Sequence, residues 1–135
     1  MSAVQRTFLL LLDKIQPTQL YINSGKLSAV QQAIGPEPAP VKKLNGRIIF
    51  TDGHTRAFAA HLAGRKEIEV FWDEDELDWE AYQICVDWCL EEGIRTIADL
   101  NGRVIGAEQY ETQWLERCRR MQEGLAREHK LEQGG

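Results

Sequence analysis

Residues 41–64 read VKKLNGRIIFTDGHTRAFAAHLAG, and the way this stretch is parsed decides the fold. Two apolar runs, 41–44 and 47–51, flank Asn45-Gly46. Both central residues of a type I′ turn take positive φ, which Asn and Gly tolerate, so the spacing predicts a β-hairpin. Its second strand feeds directly into Asp52-Gly53-His54-Thr55-Arg56. Small and apolar residues follow at helical spacing, which predicts a helix over 55–63 stopped by Gly64.

Working outward, the apolar run 7–12 predicts a strand, and residues 15–20 turn at Pro17. Ser24 is the expected N-cap of a helix running through Ile34, with Leu27, Val30, Ala33 and Ile34 on one stripe and Gly35-Pro36 as its stop. Pro36, Pro38 and Pro40 make the next stretch an extended connector. On the other side, Ile68, Val70 and Trp72 alternate in a strand over 67–72. Leu77, Ala81, Ile84, Cys85, Trp88 and Cys89 then fall at helical spacing, with Gly93 as the stop. A helical turn over 96–99 and a turn at Asn101-Gly102 precede a last helix over 107–129. That helix presents Tyr110, Trp114, Cys118, Met121 and Leu125 as one stripe, and Trp88 and Trp114 read as two halves of one helix contact. The expected fold is α/β in the α+β sense, a small mixed sheet with a C-terminal helical extension. The expected division is a core over 1–72, a helical subdomain over 73–131 packed on it, and a disordered tail over 132–135.

Composition narrows the function. At 135 residues, 43% hydrophobic and 27% charged, the chain has room for one domain of ordinary globular make-up. The apolar run 8–12 is far short of the roughly 20 residues of a membrane helix, and no leader with a cleavage site is apparent, so a cytoplasmic location is expected. Three cysteines on helical segments do not resemble a disulfide framework, and Cys85 and Cys89 lack the further ligands of a tetrahedral metal site. The net charge of −5 is unevenly spread: residues 1–66 hold nine Lys/Arg and three Asp/Glu, and residues 67–93 hold eleven acids and no Lys/Arg. Such an acidic block disfavours duplex DNA as a partner, whereas a basic N-terminal half suits a small anionic ligand.

The turn at 52–56 has the chemistry for that ligand. A helix N-terminus offers unpaired N–H groups and a partial positive charge. Gly53 permits close approach, Thr55 adds a hydroxyl, Arg56 a planar fork matched to phosphate, and His54 a further donor. Asp52 suits Mg²⁺ beside a nucleotide, or the work of a base. The alternative is purely architectural: Asp52 as N-cap, Gly53 as turn residue, and Arg56 paired to the acidic block. His61, seven residues after His54, shares its side of the helix and is read as a surface or half-buried histidine.

The strand ending in a Gly-His-x-Arg turn, the small-residue helix closing on Ala63-Gly64, and Ile15-Gln16-Pro17-Thr18-Gln19-Leu20 ahead of Lys26-Leu27 together resemble the domain shared by ParB N-terminal domains, sulfiredoxins and archaeal free-serine kinases. The resemblance covers residues 7–72 and is nearest to the serine kinases through Asp52-Gly53-His54. It implies that the turn holds nucleotide phosphates on Gly53, His54, Thr55 and Arg56; the expected ligand is ATP, ADP or CTP with Mg²⁺, and Asp52 and His54 are the expected catalytic residues if phosphotransfer occurs. Such an enzyme would be a small-molecule kinase or a nucleotide hydrolase. Gly53 stands where sulfiredoxins carry a cysteine, so the resemblance does not carry their chemistry. Asn23-Ser24-Gly25-Lys26 has no carboxylate where the serine kinases carry a catalytic glutamate. The competing expectation is a non-catalytic regulatory module whose C-terminal helices bind a protein partner or a second copy, and DNA partition ranks last.

Overall fold

The computed structural model describes residues 6–33 and 37–134. The hairpin is β3 (Ala39–Leu44) and β4 (Arg47–Phe50), with Val41 opposite Phe50 and Leu44 opposite Arg47. Asn45 at φ 48° and Gly46 at φ 78° form the turn, both in the left-handed region that the dipeptide tolerates. β1 (Phe8–Leu11) and β5 (Glu67–Trp72) complete a four-stranded sheet in the order β1-β5-β3-β4. β1 runs antiparallel to β5, and β5 runs parallel to β3, so the sheet is mixed. The parallel pair needs a crossover, which α2 (His54–Leu62) supplies between β4 and β5.

β2 (Ile22–Asn23) leads into α1 (Ser24–Gln32). The N-cap of α1 is Asn23, not Ser24: its Oδ1 accepts from the N–H groups of Gly25 and Lys26 at 2.9 and 3.3 Å, and Ser24 takes the first helical position. Asn is at least as strong a cap as Ser, and one residue earlier it reaches both orphan donors. Of the expected stripe on α1 only Leu27 is buried, Val30 is half-buried and Ala33 lies exposed beyond the helix. Ile34 and the expected stop at Gly35-Pro36 lie outside the described residues.

α3 (Trp79–Glu91) starts after Leu77, because Asp78 caps it by accepting the Ala81 N–H at 3.1 Å. It lies along the hairpin, where Tyr82 Oη donates to the Thr51 carbonyl at 3.0 Å and the Asn45 amide donates to Gln83. A 3₁₀ turn over Ile97–Leu100 carries a capping box between Thr96 and Asp99, and β6 (Val104–Ile105) pairs in parallel with β2. Neither two-residue strand has a sequence signature, since two residues define no period.

The last helix is continuous but not uniform. α4 (Ala107–Tyr110) passes through a π-turn at Glu111–Leu115 into α5 (Glu116–Gly134), beyond the His129 end expected from the sequence. Tyr110, Trp114 and Leu125 are buried, with Cys118 and Met121 half-buried between them. Trp114 meets Trp88 edge to face at 6.0 Å and 78°. A single apolar cluster runs from Leu12, Val41, Phe50 and Phe58 to Cys89, Tyr110 and Trp114, so the helical extension and the sheet share one core.

That shared core makes Trp114 a stringent test of the packing. Trp114→Ala should lower unfolding free energy by about 3–5 kcal/mol in urea titration, the cost of removing a buried aromatic. A change below about 1 kcal/mol would mean that the stripe is not buried in solution.

Candidate functional site

The β4 to α2 turn is assembled from the inside. Residues 16–18 run beside β4: the Gln16 N–H donates to the Ile48 carbonyl at 2.8 Å, and the Phe50 N–H donates to the Gln16 carbonyl at 3.1 Å. Thr18 Oγ1 then donates to the Phe50 carbonyl at 2.8 Å. The Thr18 N–H donates to Nε2 of His54 at 2.9 Å. An acceptor Nε2 in a neutral ring places the proton on Nδ1, so this bond fixes the tautomer.

His54 is therefore a building element of the turn. It is buried beside Phe50, ring centroids 5.3 Å apart, and burial lowers its pKa to about 3 against a smaller upward pull from Asp52. The side-chain bond to a ligand expected of His54 is not available from Nε2, which faces Thr18. The residue lies on the buried stripe of α2 with Ala57 and Phe58, and spacing by three and four along the helix is the sequence signal that could have revealed it.

Asp52 is exposed and does not cap α2. Its Oδ1 accepts the N–H of Gly53 at 2.7 Å, while Gly53 itself occupies the cap position at φ 78°. Its own neighbour captures the carboxylate before it can reach the first turn. Among the described residues no side chain caps α2, and none accepts from the first-turn N–H groups of Thr55 and Arg56. Glycine is doubly required at position 53: besides the positive φ, a Cβ there would lie 2.9 Å from Nη2 of Arg56 and 3.1 Å from Cβ of Ala39.

Arg56 thus folds back over Gly53, with about a quarter of its side chain exposed. Its Nη1 donates to Oε2 of Glu37 at 2.8 Å, so the partner is the connector ahead of β3, not the acidic block of the architectural alternative. Thr55 is half-buried beside it. From Arg56 a groove of about 630 Å³ runs between α1 and α2. Ala29 and Ala33 line one wall, Ala59 and Ala63 the other, and Arg65 stands on the same lining. Sequence reasoning missed Glu37, Thr18 and Arg65 as parts of this region. The small-residue pairs spaced by four on both helices were the available signal for the groove.

His61 is turned toward Asn101, whose Nδ2 lies 3.5 Å from its Nε2. Cys85 and Cys89 are buried. Among the described residues no group of three or more His, Cys, Asp or Glu side chains is placed to hold a metal ion. Among the same residues no helix is long and apolar enough to cross a membrane.

Two solved structures align with part of this chain at low identity. Protein Atu1540 from Agrobacterium tumefaciens aligns with a TM-score of 0.44 and 17% identity, over 63% of this chain and 49% of that one. Sulfiredoxin from Arabidopsis thaliana aligns with a TM-score of 0.42 and 19% identity, over 52% of this chain and 86% of that one. The match spans about half the length of Atu1540. No family model matches the sequence, and no curated protein sequence matches it.

The pKa of His54 gives the turn a pH signature. Folded His54 stays neutral down to about 3, while the unfolded residue protonates near its ordinary 6.5. The unfolded state therefore binds more protons in between, and stability present above 6.5 is lost as pH falls through that window. His129 works in the opposite sense, its pKa raised by the hydrogen bond to Glu80, so the decisive quantity is a difference. Between about pH 6.5 and pH 5 the wild type should lose stability more steeply with acid than His54→Gln, by up to about 1.4 kcal/mol per pH unit. Parallel pH profiles in urea titration would remove His54 from the interior.

Proposed function

We propose that the turn Asp52-Gly53-His54-Thr55-Arg56 and the adjoining groove bind a nucleotide or a related phosphoryl ligand. The observation that carries this reading is the groove itself, about 630 Å³ and walled by alanines, with Arg56 at the start of an uncapped helix. A volume in that range suits a ligand of nucleotide size, and small apolar walls suit a flat ring. The phosphates would meet the N–H groups of Thr55 and Arg56, the Thr55 hydroxyl and the Arg56 fork. Mg²⁺ would be held between the phosphates and the exposed Asp52 carboxylate. His54 contributes by position, through its backbone and its hold on Thr18.

Phosphotransfer is a finer reading of the same site, with Asp52 as the carboxylate nearest the phosphates. The competing reading, a regulatory module that engages a partner through its C-terminal helices, has to contend with a stripe already buried in its own chain. Its best remaining surface is the end of α5, where Leu131 is 76% exposed.

Glu37 competes with the ligand for Arg56. Its side chain is 78% exposed, so the ion pair contributes roughly 0–1 kcal/mol to folding and is readily given up. ATP, ADP or CTP, with and without Mg²⁺, should raise the melting temperature in differential scanning fluorimetry, since a ligand of the folded state stabilises it by mass action. Arg56→Ala should abolish that shift while leaving the unliganded protein within about 1 kcal/mol of wild type. Glu37→Gln should tighten binding by up to about fivefold, the equivalent of the released ion pair. Absence of any shift with the three nucleotides and with millimolar phosphate, together with a strongly destabilised Arg56→Ala, would leave the turn as architecture alone.

A further inference from the structure

The three cysteines sit in three different situations. Cys89 is fully buried, its Sγ donates to the Gln19 carbonyl at 3.6 Å, and burial pushes its pKa up to about 12. Cys85 and Cys118 instead face each other across the seam between α3 and α5. The seam is set by pairs independent of sulfur: Trp88 packs on Trp114, and Glu80 accepts from His129 at 2.8 Å. These contacts run in opposite directions along the two helices, which makes the helices antiparallel. One turn back from Trp88 is Cys85, and one turn on from Trp114 is Cys118, so the two thiols fall at the same level. Cys118 packs against the core cluster to which Cys85 belongs.

We propose that Cys85 and Cys118 form a reversible disulfide joining α3 to α5, with a hydroperoxide as the oxidant. Facing positions on packed helices bring side chains within the reach a disulfide requires. Cys118 is the attacking sulfur. It is half-buried, so a small oxidant can reach it, whereas Cys85 is buried. The neighbouring Cys85 thiol lowers the Cys118 pKa, helped by the guanidinium groups of Arg117 and Arg119. Arg117 is held there by stacking on Trp88, 4.0 Å from the ring centroid, and by Glu92 at 3.8 Å.

The chemistry balances in two steps. The Cys118 thiolate attacks one peroxide oxygen; an S–O bond forms, the O–O bond breaks, and proton uptake gives sulfenic acid and water. Cys85 then loses its proton and attacks the Cys118 sulfur; the S–S bond forms, the S–O bond breaks, and hydroxide leaves with that proton as a second water. Cys85 is held protonated chiefly by its neighbour Cys118, then by burial, and oxidation of Cys118 removes the first of these restraints. Both sulfurs are oxidised and the peroxide is reduced.

The test uses the full chain treated with a modest molar excess of hydrogen peroxide near neutral pH, followed by intact mass and non-reducing peptide mapping. The expected product has lost two hydrogens, carries a Cys85–Cys118 linked peptide, and returns to the starting mass with dithiothreitol. Its melting temperature should rise by roughly 5–10 °C, because the link closes a long loop in the unfolded chain. Cys89→Ser should still form the link. Cys85→Ser should stop at a Cys118 sulfenic acid that dimedone traps, which separates a failed resolving step from a failed attack. The proposal is overturned if the oxidised wild type keeps both thiols free, joins Cys85 to Cys89, dimerises through Cys118, or carries Cys118 sulfinic acid without the link.

Discussion

A single buried hydrogen bond, 2.9 Å from the Thr18 N–H to Nε2 of His54, holds the N-terminal segment to the entrance of α2. Burial makes the bond strict. An imidazole without a partner there would leave a desolvated acceptor, at a cost of about 1–3 kcal/mol. With Thr18 in place, the ring fixes where α2 begins, Gly53 can take its positive φ, and Arg56 can fold back over it. The same segment donates outward as well, since Gln16 Nε2 reaches the Ile94 carbonyl at 2.8 Å beyond α3. Sheet, crossover helix and helical extension are thus tied through three consecutive residues, Gln16, Pro17 and Thr18.

The start of α2 is one that no side chain among the described residues closes. α1 is closed by Asn23 and α3 by Asp78, whereas the comparable carboxylate of Asp52 is spent on the Gly53 N–H. Among the described residues the ion-pair partner of Arg56 is Glu37, which is exposed and sits on the lining of the groove. A dipole end without a side-chain cap, a cation beside it and an apolar slot together form an arrangement suited to an anion attached to a flat apolar group. Loss of one ion pair at the surface is a small opposing term to such a ligand.

Much of the scaffold was legible because local rules and tertiary packing agree there. Asn45-Gly46 fixed the hairpin register, alternation in 67–72 gave β5, and Gly64 and Gly93 ended α2 and α3 as their left-handed φ requires. The failures cluster at the turn. His54 is a polar residue whose neighbours in sequence are polar, so its side chain is read as a ligand donor, yet its spacing to Ala57 and Phe58 puts it inside. The alternative that made Asp52 a cap fails because a sequence does not say which N–H an aspartate reaches first. Arg56 found Glu37 instead of the larger acidic block, since proximity in space outweighs the number of charges elsewhere. Only part of the α1 stripe is buried for a related reason: its Val30 side opens on the groove.

The central claim, that the α2 entrance holds phosphate while the α1/α2 groove holds the rest of the ligand, is tested most directly by backbone amide chemical shifts. Inorganic phosphate should move chiefly the amides of His54, Thr55 and Arg56. ATP should move these and also Ala59 and Ala63. Largest shifts along α3 or α5 would contradict the account, as would an unchanged spectrum at millimolar ligand.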